Sequence, residues 1–125
     1  MNTPKDLKYN DSHEWVKLEG KTAYVGITDH AQNELGDIVF VDLPEIGAEF
    51  KKGDEVSSIE SVKAAAPIYS PISGKIVKIN NELDDKPELI NEKPFESFIF
   101  ALEISDPSQL DSLLSAAEYT ALIEA

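Results

Sequence analysis

Glycines and prolines divide this chain into short segments, and their spacing limits the secondary structure that it can form. The six glycines and several of the seven prolines recur about every eight to twelve residues. Long helices do not fit between such breaks, whereas short strands do. We therefore predict a mainly β fold. The glycines are Gly20, Gly26, Gly36, Gly47, Gly53 and Gly74.

Seven of these segments are rich in β-branched and aromatic residues and are predicted to be strands. Their apolar side chains are expected to form the core, with Val39, Val41, Val56, Ile76 and Ile79 among them. The runs that begin at Gly36 and Gly74 share a Gly-x-Ile-Val-x-apolar pattern, which suggests equivalent strands of two pseudo-symmetric halves. The predicted strands are Glu14–Leu18, Thr22–Ile27, Ile38–Asp42, Glu55–Glu60, Ala65–Tyr69, Gly74–Ile79 and Phe98–Ile104.

Two segments favour helices instead, near residues 28–35 and 107–123. Thr28 can cap the first helix, and Gly36 can end it in a left-handed conformation. Asp106 and Pro107 are typical of a helix N-cap and first helical residue. We predict a C-terminal amphipathic helix that packs on the protein's own sheet, with a groove on a partner as the alternative. Its expected apolar stripe is Leu110, Leu113, Leu114, Ala117 and Leu122.

Length and composition exclude several classes of protein. At 125 residues, the chain is predicted to be a single domain, residues 1–125, with a β core of about 14–104. It has no cysteine, so disulfides and cysteine-based metal or redox sites are excluded. A net charge of −13 argues against binding to nucleic acid or anionic membranes. No apolar run approaches the roughly twenty residues of a membrane span, and we expect a soluble, cytoplasmic protein.

The excess of negative charge has two interpretations that the sequence leaves open. An acidic surface suits docking on basic clefts of partner proteins. It also keeps a small domain soluble without any role in recognition.

Lys63 lies in the run Glu60-Ser61-Val62-Lys63-Ala64, which is predicted to form the tip of a tight turn between two strands. All eleven basic residues of the chain are lysines, so charge alone cannot distinguish Lys63 from the others. A protein that carries a covalently attached group needs one accessible amine that is marked by backbone shape. An unperturbed lysine is almost fully charged at pH 7, so Lys63 suits passive acylation by an enzyme better than catalysis. An ordinary solvated lysine is the alternative.

These residues belong to a wider resemblance to the H proteins of the glycine cleavage system, which are lipoyl carriers. Three stretches carry it: Ser12–Val16, Gly26–Gly36 continuing through Val39–Pro44, and Glu60–Gly74. Biotin carriers flank their lysine with methionines, whereas the single methionine here is Met1. The resemblance implies a lipoyl-domain-like flattened barrel, a barrel-sandwich hybrid, of two antiparallel sheets with the modified lysine on a hairpin.

The resemblance also implies the site and its cofactor. Lys63 would carry lipoate as a lipoyl-lysine, and Glu60, Ser61, Val62 and Ala64 would form the turn that the attaching enzyme recognises. The positions of Glu14 and Ile27 match family positions near the docked, loaded arm.

The implied partners are a pyridoxal-phosphate-dependent glycine decarboxylase, a tetrahydrofolate-dependent aminomethyltransferase, dihydrolipoyl dehydrogenase and a lipoyl-attaching enzyme. The decarboxylase loads an aminomethyl group onto the arm, and the aminomethyltransferase removes its carbon. The dehydrogenase then reoxidises the dithiol. The chain itself would be a non-catalytic carrier subunit.

The chain departs from the family pattern at two places. Pro67 stands where a polar or acidic residue is usual, and because proline donates no backbone hydrogen bond, its strand is predicted to be edge-like there. The run from Phe95 to Phe98 lacks the usual Gly-Trp pair. Two other functions therefore stay open. One is an H-like carrier that relays octanoyl or lipoyl groups to other complexes, and the other is an unmodified interaction module.

Catalytic and metal sites are not predicted. The residues Ser12, His13 and Glu14 have the chemical types of a triad, but neighbours in an extended strand point to opposite faces and cannot relay a proton in order. His30 and Glu34 lie four residues apart on the predicted helix and could offer two metal ligands. No further ligand is apparent, so a pair on the helix surface is the favoured interpretation.

Overall fold

A computed structural model describes residues 3–124, and within them the chain forms nine strands in two antiparallel sheets. The larger sheet has six strands in the order β1-β2-β3-β9-β8-β5, and the smaller has three in the order β4-β6-β7. The strands are β1 (Lys8–Tyr9), β2 (Glu14–Glu19), β3 (Thr22–Ile27), β4 (Ile38–Asp42), β5 (Glu49–Phe50), β6 (Glu55–Ser61), β7 (Ala65–Tyr69), β8 (Gly74–Ile79) and β9 (Phe100–Ile104).

The seven predicted strands are all present, which confirms the mainly β fold of two antiparallel sheets. The largest difference in bounds is at the last strand, which begins at Phe100 rather than at Phe98. Strands β1 and β5 were not predicted because two residues are too few to show an alternating pattern.

Four α-helices and one 3-10 helix connect or close the sheets in the described part of the chain. Helix α1 has the predicted ends: the Thr28 side chain accepts a hydrogen bond from the backbone of Ala31, and Gly36 has a φ of 78°. The helices are α1 (Asp29–Leu35), α2 (Glu82–Asp85), α3 (Leu89–Glu92) and α4 (Ala116–Glu124), and the 3-10 helix is Pro107–Ser112.

The prediction of one continuous C-terminal helix is wrong. Asp106 caps the 3-10 helix as expected, but the backbone of Leu114 leaves the helical path to exchange two hydrogen bonds with Tyr9, of 2.7 and 2.9 Å. Ser115 and Glu118 then cap α4 reciprocally, as in a capping box. The interruption rotates the second segment, so that Ala116 and Tyr119 are buried instead of Ala117 and Leu122.

The main core lies between the two sheets and includes Ile59, Ile68, Ile76, Phe100 and Leu102. Of the predicted core residues, Val41 and Ile76 are buried, and Val56 and Ile79 pack partly buried against the same cluster.

Val39 was predicted to be in the core but is 53% exposed. A β-bulge between Ile38 and Phe40 inserts an extra residue into the pairing of β4 with β6. The alternation of inward and outward side chains is therefore broken, and both Val39 and Phe40 lie outside.

A second apolar cluster includes Tyr9, Trp15 and Tyr119. The rings of Tyr9 and Tyr119 are stacked with centroids 4.8 Å apart. Trp15 pairs with Gly26 across β2 and β3, and its Nε1 donates a 2.9 Å hydrogen bond to the carbonyl of Pro94. A Cβ on Gly26 would lie 2.6 Å from the indole ring. The ring therefore occupies space that is free because glycine has no side chain.

Candidate lysine attachment site and adjoining pocket

The turn that carries Lys63 connects β6 to β7 and is organised by Ser61. The Ser61 hydroxyl accepts hydrogen bonds from the backbone N–H of Lys63 (3.3 Å) and of Ala64 (3.1 Å) and donates one to the Ala64 carbonyl. The Ser61 N–H also donates to that carbonyl at 2.7 Å. The predicted tight turn is thus present, and the short side chain of Ser61 replaces the backbone partners that the turn residues lack.

The residues around the turn differ in exposure. Glu60, Lys63 and Ala64 are exposed, and Val62 is 70% exposed, whereas Ser61 is buried. The backbone N–H of Val62 donates a 3.0 Å hydrogen bond to the carbonyl of Asp37, just before β4. The turn is therefore fixed at its base and open at its tip.

The aliphatic part of Lys63 lies against the end of α1. A Cβ built on Gly36 would be 3.6 Å from Lys63 Cε, which is an ordinary van der Waals distance. Leu35, the neighbour of Gly36, lines a pocket of about 420 Å³. The Lys63 side chain thus lies beside Gly36, and the preceding residue, Leu35, forms part of the pocket wall.

This pocket lies beside α1, the start of β2, β6 and β7, and it combines an apolar wall with a buried carboxylate. Its volume is within the range of small-molecule sites. Glu14 and Ile27, the two residues that the sequence placed near a docked arm, both line it. Its apolar residues include Ile27, Leu35, Ile59, Pro67 and Ile68, and its polar residues are Ser12, His13, Glu14, His30 and Glu34.

Glu14 is 1% exposed, and its carboxylate joins the two sheets. Oε1 accepts hydrogen bonds from the side chains of Asn10 (3.0 Å) and Ser12, and Oε2 accepts one from the backbone N–H of Tyr69 (3.2 Å). Burial raises the pKa of this carboxyl, and the hydrogen bonds partly oppose that rise. Its partners hold the carboxylate in one orientation at the pocket.

The same carboxylate accepts a hydrogen bond from a backbone N–H on the free edge of β7. This strand is at the edge of the smaller sheet, as the position of Pro67 predicted. Within residues 3–124, no strand lies next to Tyr69 on the open side of β7, and the Tyr69 N–H is bonded to Glu14 instead.

His13 does not have the extended backbone that the sequence predicted. Its φ is 75°, so the chain turns before β2 begins. Its Nδ1 is 2.8 Å from the hydroxyl of Tyr119, which in turn is 2.7 Å from the hydroxyl of Thr28. Ser12 does bond to Glu14, but His13 takes no part in that contact. The three side chains are therefore not joined in relay order, because the His13 ring bonds to Tyr119 while Ser12 bonds to Glu14.

The second histidine is adjacent to the first. The ring centroids of His13 and His30 are 4.9 Å apart, and His30 Nε2 is 3.8 Å from Glu34 Oε1 on the surface of α1. Burial, and then the proximity of His30, lower the pKa of His13, against weaker opposing effects of Asp11 and Glu34. The predicted pair on the helix surface is therefore present.

The link from Tyr119 to His13 and Thr28 was not found from the sequence. The residues are distant along the chain, and no periodic pattern connects them. Across residues 3–124, no group of three or more His, Asp or Glu side chains is placed to hold a metal ion. No helix in this part of the chain is long and apolar enough to cross a membrane.

Comparison with known proteins gives consistent results. The profile of a family described as "Glycine cleavage H-protein" matches residues 7–125. A glycine cleavage system H protein of Staphylococcus epidermidis is 55% identical over 124 residues, and one of Staphylococcus haemolyticus is 53% identical over 124 residues. Each alignment covers 98% of this chain and 98% of the relative.

A solved structure agrees with these sequence relatives. The crystal structure of a glycine cleavage system H protein from Mycobacterium marinum superposes with a TM-score of 0.89 at 32% sequence identity. The match covers 98% of this chain and 99% of the other. Sequence and fold agree over nearly the full length, and this chain belongs to the glycine cleavage H-protein family.

Proposed function

We propose that this protein carries the aminomethyl group of glycine from a pyridoxal-phosphate-dependent decarboxylase to a tetrahydrofolate-dependent aminomethyltransferase, on a lipoyl arm attached to Lys63. The observation that carries the proposal is the position of Lys63, exposed on a turn that Ser61 fixes and adjacent to a pocket. Membership of the family supports the same role. A fixed turn presents one amine in one geometry, which is what an attaching enzyme requires.

The residues around Lys63 fit lipoate as the attached group. The side chain is exposed, and the pocket beside it has apolar walls that suit an aliphatic chain. When attached, lipoate supplies a dithiol that can accept and release a one-carbon amine unit. The remaining chemistry belongs to the cofactors of the partner enzymes, and we propose that this chain is a non-catalytic carrier subunit.

Glu14 and Ile27 would dock the loaded end of the arm. A carboxylate held by Asn10, Ser12 and the Tyr69 backbone is oriented before any arm arrives, so little reorganisation is needed to receive a cationic amine. A positive charge nearby would also favour the ionised form of Glu14. Ile27 contributes apolar contact to the wall. Pro67 lines the same pocket and brings no carboxylate, which leaves Glu14 as the acidic group buried there.

The partners follow from this role. They are the glycine decarboxylase, the aminomethyltransferase, dihydrolipoyl dehydrogenase and the lipoyl-attaching enzyme, all acting on one tethered group in the cytoplasm. A tether raises the effective concentration of the carried group at each partner. Glu60, Val62 and Ala64, together with Ser61, would form the turn that the attaching enzyme recognises.

Mass spectrometry of the protein from its native host tests the attachment site. An acylated Lys63 resists trypsin, so digestion should give one peptide from Gly53 to Lys75 that carries a single lipoyl group. A lipoyl group on another lysine, with normal cleavage after Lys63, would overturn the proposal. A native protein without any lipoyl group would favour the unmodified interaction module.

The variant Lys63→Arg separates the site from the fold. An exposed turn side chain contributes little to stability, so the free energy of unfolding should change by less than about 0.5 kcal/mol. Glycine decarboxylation coupled to aminomethyl transfer should be lost. Normal lipoylation of the wild type without any support of glycine decarboxylation would favour the relay of octanoyl or lipoyl groups.

A further inference from the structure

The smaller sheet differs in charge from the larger one. The charged residues in β4, β6 and β7 are Asp42, Glu55 and Glu60, and these strands contain no lysine. Lys63, on the hairpin between β6 and β7, is the one basic residue of this sheet and its hairpin. The strands of the larger sheet hold four lysines, Lys8, Lys17, Lys75 and Lys78.

An exposed apolar surface borders the same hairpin. The bulge in β4 places Val39 and Phe40 outside, where they are 53% and 50% exposed. Phe40 pairs directly with Glu60, and the backbone of Val62 is bonded to the residue that precedes β4, Asp37. We call Val39, Phe40 and Val62 the turn patch. Val39 and Phe40 are consecutive and both exposed, and clustered exposed apolar side chains are typical of interaction sites.

We propose that the turn patch, flanked by Glu60 and Asp42, is the docking surface for the enzyme that acylates Lys63. The proposal rests on the proposed function in one respect, that Lys63 is the attachment site. The expected partner surface is apolar at its centre and basic at its rim, which complements the patch and its carboxylates.

The position of the patch identifies this enzyme rather than another partner. An acylating enzyme must bring the Lys63 amine itself into its active site, so its surface has to cover the residues nearest to that lysine. Enzymes that act on the finished arm react with its far end, and that reaction does not require them to cover the residues around Lys63. Val62 directly precedes Lys63, and Phe40 pairs with Glu60, three residues before it, which matches the first requirement.

The patch also explains how an enzyme can select Lys63 among eleven lysines. Other lysines have different surroundings in the structure. Lys17 lies 3.7 Å from Glu19, Lys78 lies over the rings of Tyr24 and Phe98, and Lys52 bonds to Ser112 at 2.8 Å. An amine beside an apolar patch with acidic flanks is a distinct target, in addition to the shape of its turn.

The test is the kinetics of lipoylation by a purified attaching enzyme. The double variant Val39→Ser with Phe40→Ser should lower kcat/KM by at least about tenfold, mainly through a higher KM, because apolar contact is lost on docking. The matched control is Leu18→Ser with Val77→Ser, which removes two side chains that are each 39% exposed in the larger sheet. The control should keep the wild-type kcat/KM within about twofold.

Two further measurements separate docking from damage to the fold. Thermal unfolding should show that both double variants remain folded. A small activated ester should acylate Lys63 at equal rates in the wild type and the patch variant, since it needs no docking surface.

The outcomes are distinguishable. Wild-type protein lipoylated at Lys63, together with an undiminished kcat/KM in the folded patch variant, would overturn the patch and leave the carrier function intact. An equal loss in the control variant would also overturn the patch. Lipoylation of the wild type at another lysine would overturn both. A wild-type dimer that the patch variant converts to a monomer, with lipoylation unchanged, would assign the patch to self-association instead.

Discussion

His13 and His30 are the two histidines of the chain, and both line the pocket next to the lysine turn. Their rings are 4.9 Å apart, so two positive charges there would repel each other. The groups that face the pair are Asp11, Glu14, Glu34 and Tyr119. The lowered pKa of His13 means that the folded protein favours its neutral form.

This preference predicts a specific pH dependence of stability. His13 contributes stability above its ordinary pKa of 6.5, and that contribution is lost as the pH falls through the lower folded-state value. The variant His13→Asn, which tolerates the positive φ, should therefore lose less unfolding free energy than the wild type between about pH 7 and pH 5. Urea denaturation across this interval is the measurement. Parallel curves for the two proteins would contradict the assignment.

The raised pKa of Glu14 makes stability fall as the pH rises, which is opposite to the effect of His13, and it does not obscure the comparison of the two proteins. Its folded-state pKa is raised, so its contribution is present at low pH and is lost as the pH rises from 4.5 through the raised value. Since the comparison keeps Glu14 in both proteins, the difference between the two curves reports His13.

Single residues were predicted from the sequence where a local motif defines them. Ser61 and Lys63 occupy the expected turn, and Thr28 and Gly36 end α1 as expected. The exposure of Val39 was not predicted, because strand alternation assumes a regular ladder and the bulge is an irregularity of pairing with β6. The left-handed backbone of His13 has no local signal of the kind that glycine gives.

At the scale of elements, Tyr119 joins α4 to several other parts of the fold. The ring of Tyr119 stacks on Tyr9, and its hydroxyl lies between Nδ1 of His13 and the hydroxyl of Thr28. This one residue thus joins the C-terminal helix to β1, to the chain before β2 and to the cap of α1.

The variant Tyr119→Phe tests this connection. It keeps the stacked ring but removes two hydrogen bonds, so we expect a loss of about 1–2 kcal/mol in unfolding free energy. Tyr24→Phe is the matched control. Its ring packs on Phe98, and within residues 3–124 its hydroxyl has no hydrogen-bond partner, so its loss should be below about 0.5 kcal/mol. Equal losses in denaturant titrations would contradict the connecting role.

The packing of the Trp15 ring depends on Gly26, which pairs with it across β2 and β3. Because an added Cβ would lie 2.6 Å from the buried Trp15 ring, Gly26→Ala should displace that ring and cost about 1–3 kcal/mol. The fluorescence of Trp15, the single tryptophan, should change as well. Gly20→Asn is the control, since Gly20 has a positive φ that asparagine tolerates and no atom within 4 Å of the added Cβ. An unperturbed Trp15 spectrum in Gly26→Ala would refute this prediction.

Element prediction succeeded where the interactions are local and failed where they are not. The seven longer strands follow their own composition. The break after the 3-10 helix depends on Leu114 pairing with Tyr9, at the other end of the chain, and the helical spacing of leucines gave no sign of it. The pair Ser115 and Glu118 did carry a readable start signal for α4.

For the whole molecule, the net charge of −13 predicts electrostatic steering toward basic partners. The association rate of the lipoylated protein with the decarboxylase should fall as salt rises. The Debye length is about 10 Å at 0.1 M salt, so attraction between charges farther apart than this is largely screened. Dissociation should change less. Stopped-flow mixing across a salt series measures both rates. An association rate that is independent of salt would leave solubility as the role of the charge.

The arrangement of the strands in two antiparallel sheets was implied by the family resemblance and not by the residue pattern, and neither assigned individual strands to a sheet. The runs that begin at Gly36 and Gly74 share one pattern, yet β4 belongs to the smaller sheet and β8 to the larger. The pattern describes a strand and its preceding turn. Partner strands are chosen by contacts that are distant along the chain.

The position of Lys63 as the one base of the smaller sheet has a consequence for turnover. An amide on Lys63 removes its positive charge, so the protein becomes one unit more negative than −13. The charged side chains that remain in the hairpin and the smaller sheet are then all carboxylates. Because the expected enzyme surface has a basic rim, the loss of this positive charge strengthens the attraction between enzyme and product, so salt should speed product release. The two forms would also separate by anion exchange.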